Sequence, residues 1–291
     1  MELRRKPRVA FQGERGAFSE EAALKLLGAE IEVVPRPTFD ALFAAIRESA
    51  ADLLLAPVEN SLAGSVHWSL DLLLESKLQI TGEVVHQIAH HLIGLPGATL
   101  ETLQAVESHP VALAQCERFF REHPRIKRMV AEDTAGSVRA VIARGDPSHA
   151  AIAARRAAEL YGGKILREHL EDHRENFTRF WLLAPEAERS AAADKLSLVA
   201  ELAHKPGSLH RALGVFARRG IDLLKIESRP IPGQPWEYRF YLDLKARPED
   251  PAMKAALEEF GQNADRVYIL GWYPSAAGAD AATSTPTSAR S

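Results

Sequence analysis

Apolar residues recur along this chain in two rhythms, short continuous runs and repeats at helical spacing, and their alternation predicts the elements. Val9-Ala10-Phe11-Gln12-Gly13 predicts a strand that runs into the glycine-bounded turn Gly13-Glu14-Arg15-Gly16. A helix over about 19–27 follows, with Ser19 as its N-cap and Glu20 and Glu21 in the first turn, where exposed N–H groups favour carboxylates. Residues 31–34 read as a strand, 38–48 as a helix with Phe39, Leu42, Phe43 and Ile46 on one face, and 52–56 as a third strand. That β-α-β-α-β order implies a mostly parallel sheet with right-handed crossovers. The glycines after the first strand are too widely spaced for a dinucleotide fingerprint.

The pattern then repeats. After a helix around 69–75 come strand-like runs at 80–85 and 91–95. A second alternation follows, with strand 105–108, helix 111–123, strand 127–130, helix 134–144 and strand 150–152. A helix through Tyr161 and a turn at Gly162-Gly163 lead to Asn176-Phe177-Thr178-Arg179-Phe180-Trp181-Leu182-Leu183-Ala184. The simplest architecture is two α/β lobes with a cleft between them. That last run reads as a buried strand whose polar start sits at the strand's mouth, where an open α/β sheet meets its ligand. Its bland reading keeps Asn176 as a turn cap, Thr178 as a β-branched strand residue and Arg179 as the partner of a surface carboxylate.

The loop Pro57-Val58-Glu59-Asn60-Ser61-Leu62-Ala63-Gly64-Ser65-Val66-His67 follows the third strand and takes the same kind of position. It is either a ligand loop or a connection whose Asn60 and Ser61 bond their own backbone. Helix N-termini near Ser19 and Thr134 offer unpaired N–H groups to an anion. Residues 185–194 read as a linker. Beyond it the order is strand 195–202, helix 208–219, strands 222–228 and 237–244, helix 251–260 and strand 266–272, the βαββαβ arrangement of ferredoxin-like domains. The tail 274–291 is nearly all Ala, Ser, Thr, Gly and Pro, too poor in apolar bulk to fold.

Composition narrows the classes. At 291 residues, 46% hydrophobic and 26% charged, the chain reads as a soluble globular protein with room for two cored domains. A net charge of -3 with dispersed Lys and Arg argues against a nucleic-acid partner, and Arg4-Arg5-Lys6 reads as a solvated start. No apolar segment has the length of a membrane span and no apolar signal core precedes the first strand, so a cytoplasmic protein without a membrane partner is expected. Cys116 is the single cysteine, which leaves no internal disulfide and no thiolate cluster. His86, His90 and His91 lie in a strand-like run without a Cys or carboxylate at ligand spacing, so no metal is expected.

Five motifs in register resemble the prephenate dehydratase family. They are Phe11-Gln12-Gly13 with Gly16-Ala17-Phe18-Ser19-Glu20, Pro57-Val58-Glu59-Asn60-Ser61, Ser108-His109-Pro110 with Gln115-Cys116, Asp133-Thr134-Ala135, and Asn176-Phe177-Thr178-Arg179-Phe180. Lys205-Pro206-Gly207-Ser208-Leu209 and Glu227-Ser228-Arg229-Pro230 similarly resemble the phenylalanine-binding motifs of its C-terminal ACT domain. Ala17 and Ser208 depart from the more usual Thr and Ala. The match runs from about Val9 to Trp272.

The resemblance implies a two-lobed, periplasmic-binding-protein-like catalytic domain over 8–184, a linker over 185–194, an ACT domain over 195–273 and a disordered tail over 274–291. It implies cofactor-free conversion of prephenate to phenylpyruvate, with phenylalanine as effector and a homodimer or homotetramer as the assembly. Thr178, Asn60, Ser61 and Glu59 fall to catalysis, and Ser19, Gly64, Ser108, Thr134, Asn176, Arg179 and Phe180 to substrate binding. Glu59 either orients the loop or is a surface carboxylate. Gly207, Ser208, Leu209, Glu227, Ser228, Arg229 and Pro230 fall to phenylalanine, its carboxylate at the Gly207-Ser208 turn and its ammonium where Glu227 to Pro230 closes a strand. Phe18-Ser19 and the loop 62–67 also resemble arogenate dehydratases, which form phenylalanine directly. Two other classes share the pattern, a non-catalytic small-anion binding protein and a pure ligand sensor.

Overall fold

The computed structural model describes residues 5–186 and 190–276. The chain forms two units, one of residues up to 76 together with 84–181, the other of residues 77–83 together with those from 182 on. No helix among the described residues is long and apolar enough to cross a membrane.

In chain order the first unit begins with β1 (Arg8–Gln12), α1 (Phe18–Leu27), β2 (Glu32–Arg36), α2 (Phe39–Arg47) and β3 (Leu53–Asn60). Strand β1 pairs in parallel with both β2 and β3, as the sequence rhythm implies. Thr38 caps α2, its hydroxyl accepting from the Ala41 N–H at 3.1 Å. The short strand β4 (Gly64–Ser65) folds back on β3, and α3 (His67–Ser76) leads into β5 (Gln79–Gln87). The second lobe comprises β6 (His91–Gly94), β7 (Ala105–Ser108), α4 (Pro110–Ala114), α5 (Glu117–Glu122), β8 (Lys127–Val130), α6 (Thr134–Arg144), β9 (His149–Ala153), α7 (Arg155–Tyr161) and β10 (Lys164–Arg167). The chain then returns as β11 (Phe177–Ala184).

The first sheet has the order β2-β1-β3-β11-β5, and the second β10-β6-β9-β7-β8. The second is mixed, since β7 pairs in parallel with β8 and β9 while β6 runs antiparallel to β9 and β10. Burial explains the apolar runs, for Val9, Ala10, Leu54, Leu55 and Ala56 are fully enclosed. One cluster joins the lobes, packing Phe11 and Ala17 against Ala135, Val138, Ala151 and Ala157. Gly16 lets them approach. It sits at φ +86°, and a Cβ there would lie 2.8 Å from the Ala157 Cα.

Several expected elements differ, beginning with β3, which runs on to Asn60 through the first residues expected of the loop 57–67, and β4 within that loop. Helix α1 starts at Phe18 with Ala17 in the cap position, so Ser19 is a first-turn residue and not the cap. The single helix expected over 111–123 is broken at Gln115-Cys116 into α4 and α5.

The second unit continues with β12 (Lys195–Glu201), α8 (Ser208–Ala217), β13 (Leu223–Ile231), β14 (Gln234–Lys245), α9 (Pro251–Gln262) and β15 (Arg266–Tyr273). This is the βαββαβ order, with the sheet arranged β13-β14-β12-β15. Its core packs Val215, Phe216, Met253 and Phe260 of the helices against Leu196, Leu198, Leu242 and Leu244 of the strands. A buried ion cluster lies beside that core. Lys195 Nζ donates to both oxygens of Glu83, at 3.1 and 2.9 Å, and stands 3.8 Å from Asp243. The Ser197 hydroxyl bridges Asp243 and the Tyr273 hydroxyl. Ser275 and Ala276, which fall in the stretch expected as a tail, bond Asp194 and Glu83. The rest of that stretch, 277–291, and linker residues 187–189 lie outside the described residues.

Candidate active site

A cavity of about 580 Å3 opens in the first unit and takes lining residues from both lobes. The end of β3 contributes Asn60, the turn and strand β4 that follow it contribute Ala63 and Ser65, the start of β11 contributes Thr178 and Phe180, and the helix starts contribute Ser19 and Thr134. Much of the wall is apolar, including Phe18, Val66, Trp68, Ile88 and Val111. A few polar groups in an apolar wall suit a small ligand with an apolar body and a few polar groups that fix its orientation.

A chain of side-chain amides runs along one side. Asn60 Oδ1 accepts the backbone N–H groups of Leu62 and Ala63 at 3.0 and 2.8 Å. Its Nδ2 therefore points the other way, donating to Asn176 Oδ1 at 2.7 Å and to Thr178 Oγ1 at 3.0 Å. Asn176 Nδ2 donates in turn to Gln115 Oε1 at 2.9 Å, and the same oxygen meets His90 Nε2 at 2.9 Å. Asn176 is wholly enclosed and Thr178 is 8% exposed, so these bonds form largely out of water. With Oγ1 already accepting from Asn60, the Thr178 proton finds no acceptor among the described residues. It is available to whatever occupies the cavity.

The strand's two-residue period separates the neighbours of Thr178. Thr178 and Phe180 line the cavity and Arg179 does not. Arg179 bonds Glu59 at 3.0 Å and lies over the Trp181 ring, so the pair expected to serve catalysis and binding is a clasp between β3 and β11. Ser61 also fastens these strands. Its hydroxyl donates to the Glu175 carbonyl at 2.8 Å and accepts from the Phe177 N–H at 2.9 Å, outside the cavity lining. Ser108 is fully buried and donates to the Ile152 carbonyl within the second sheet. Gly64 is absent from the lining, although Ala63 and Ser65 beside it are part of it.

Helices α1 and α6 present their N-terminal turns to the cavity through Phe18, Ser19 and Thr134. Asp133 caps α6 through the Gly136 N–H, leaving the first amides of the helix for a ligand. His109 lines the cavity as well, with Nδ1 accepting from the Val111 N–H and burial holding its imidazole below the ordinary value. That favours the neutral ring.

Gln115 and His90 were not among the residues expected at the site. Gln115 sits where the helix breaks, and the break is held from a distant loop. Asp172 accepts the Glu117 and Arg118 N–H groups at 2.9 Å each, capping α5, while its own N–H bonds the Gln115 carbonyl at 2.8 Å. The sequence signals for Gln115 are its place in the motif pair Gln115-Cys116 and a polar residue on a face otherwise made of Ala112, Leu113, Cys116 and Phe119.

In the second unit Gly207 takes φ +82° as the N-cap of α8, and Ser208 Oγ accepts from Arg211 at 3.2 Å. Leu209 follows in the helix's first turn. Glu227, Ser228, Arg229 and Pro230 lie inside β13, which continues to Ile231, and so do not close the strand. The strand's alternation turns Glu227 and Arg229 inward and leaves Ser228 and Pro230 exposed.

The chain matches the family Prephenate dehydratase over residues 9–188 and ACT domain over residues 197–262. It is 40% identical over 285 residues to Arogenate dehydratase/prephenate dehydratase 1, chloroplastic, of Arabidopsis thaliana, covering 92% of this chain and 72% of the relative. Among solved structures it is similar to prephenate dehydratase from Arthrobacter aurescens in complex with L-Phe, at TM-score 0.85 and 30% identity, covering 93% of this chain and 91% of that one. A similar likeness, at TM-score 0.84 and 34% identity and covering 92% and 98%, is to a protein described as GqqA, a novel type of quorum quenching acylase.

Proposed function

The chain belongs to the prephenate dehydratase family and carries an ACT domain, and we propose that it converts prephenate to phenylpyruvate under feedback control by phenylalanine. Prephenate is a dianion. When its ring carboxylate leaves as carbon dioxide, the bonding pair enters the ring and expels hydroxide from the opposite carbon, and a proton turns that hydroxide into water. Aromatisation drives the step, so the protein needs to bind two carboxylates and assist one leaving oxygen. The amides of α1 and α6 and the Gln115 amide supply donors for the carboxylates. Thr178 supplies the donor for the leaving oxygen, as a preorganised hydrogen bond that strengthens as charge develops there.

The observation that carries this reading is the Thr178 hydroxyl, oriented by Asn60 and left with its proton facing the cavity. Incubation of the purified chain with prephenate, followed by the absorbance of phenylpyruvate in alkali, tests it. Absence of phenylpyruvate would leave an arogenate dehydratase, a small-anion binding protein or a ligand sensor.

Prephenate is the preferred substrate over arogenate in this reading, with specificity constants differing more than about tenfold, roughly 1.4 kcal/mol. Competition between the two substrates measures that ratio. A preference for arogenate would make the chain an arogenate dehydratase using the same groups.

Phenylalanine binds the second unit at the Gly207-Ser208 turn, where first-turn amides of α8 beyond Ser208, whose own N–H bonds the Lys205 carbonyl, receive its carboxylate. A homodimer or homotetramer built through this unit gives two arrangements for the effector to discriminate. Calorimetry should show phenylalanine binding to the wild type and binding at least about tenfold weaker for Gly207→Val. The φ of +82° opposes the larger residue, whose Cβ would also displace the Arg211 guanidinium, 2.9 Å away at Nη1. Equal binding by the two would move the effector elsewhere.

A further inference from the structure

We propose that His90 is a positioning residue for this reaction, held as the neutral Nε2–H tautomer and pinning Gln115 so that its NH2 group faces the substrate. The inference rests on the function proposed above and adds a residue to it. It follows from the direction of the amide chain. The backbone N–H groups of Leu62 and Ala63 can only donate, so the atom of Asn60 they meet is its oxygen. That choice passes along the chain. Asn60 presents its NH2 to Asn176, which must accept with Oδ1 and donate with Nδ2, so the Gln115 atom it meets is Oε1. His90 Nε2 reaches that same oxygen and must therefore carry a proton.

The other ring nitrogen tells the same story. His90 Nδ1 is buried and has no partner among the described residues, which fits a bare lone pair and does not fit a charged ring with a second N–H to satisfy. Burial pushes the imidazole below its ordinary value, against the opposing effects of Gln115 and Glu171. Gln115 Oε1 thus receives two donors, from Asn176 and His90, and its NH2 is left without a protein acceptor among the described residues. Gln115 and His90 both line the cavity, so a group with freely exchangeable ends presents only its donor end to an anionic substrate.

A merely structural histidine would give a different pattern on substitution. Phe in place of His90 keeps the ring and its edge contact with Phe18, now 5.4 Å between centroids, and removes a buried, unpartnered nitrogen. His90→Phe should therefore keep or raise the melting temperature while lowering kcat/KM for prephenate about tenfold to a hundredfold. His90→Gln, whose amide nitrogen can stand where Nε2 stood, should recover most of the loss. In a Gln115→Ala background, His90→Phe should cost less than about a further twofold, because the group it positions is gone. Histidine 15N NMR of the full chain should show His90 protonated at Nε2 and bare at Nδ1. The opposite tautomer, a Gln variant as impaired as the Phe variant, or losses that multiply in the double variant would overturn the proposal. If the wild type does not turn over prephenate, the proposed function fails by itself, and the NMR result still decides the hydrogen-bond chain.

Discussion

Thr178→Val lowers turnover of prephenate on the order of a hundredfold or more, about 2.7 kcal/mol in barrier, in a protein that folds normally. Valine has nearly the same volume and the same preference for a strand, so the site keeps its shape. The lost hydroxyl removes an acceptor for Asn60, yet Asn60 Nδ2 retains the Asn176 oxygen and the Phe177 carbonyl. The main loss is the donor toward the leaving oxygen. Thr178→Ser restores that donor and should stay within about tenfold of wild type, the difference reflecting a looser rotamer. Single-turnover measurements beside a thermal melt make the comparison. Wild-type turnover by the folded valine variant would remove Thr178 from the mechanism.

The second large effect concerns stability. Lys195→Met removes one buried cation from Glu83 and Asp243, each with a side chain 4% exposed, and should destabilise the second unit, by up to about 3–5 kcal/mol. Ser197 also bonds Asp243, and the Ala276 N–H also bonds Glu83, and neither of these groups carries a charge. If an uncompensated carboxylate is the cause, adding Glu83→Leu to Lys195→Met should recover part of the loss, a coupling that independent sites do not show. Denaturant midpoints of the three proteins provide the readout. A Lys195→Met midpoint equal to wild type would mean that water reaches the cluster and carries the charges.

The first and last stretches of hydrophobic rhythm are easy to read, because β1, β3 and β12 carry continuous buried runs and β13 alternates. The site was legible where it depends on position along a strand. The end of β3 and the start of β11 do reach the cavity, as polar residues at strand mouths suggest. The family resemblance assigns Arg179 to substrate, whereas its place one residue after Thr178 turns it to the opposite side, where it bonds Glu59, as its plainer reading as a carboxylate's partner expects. Gln115 and His90 escaped for a different reason. Their roles arise from bonds that span 61 and 25 residues along the chain, and no spacing rule reaches that far. The helix break at Gln115-Cys116 likewise has no glycine or proline to announce it.

The cap that Asp172 places on α5 has a consequence for the order in which this protein comes into being. Glu117 and its capping carboxylate are 55 residues apart, and a helix of six residues has little stability without tertiary support. On a chain growing from its N-terminus, Gln115 is synthesised long before the residue that holds it, and before Asn176 and Thr178. Strand β11 then enters last, between β3 and β5, two strands already made. Closing a loop of that length carries its entropic cost before the contacts return it. The polar half of the cavity therefore does not exist on a partial chain, and ligand recognition begins only when the final strand of the sheet is in place.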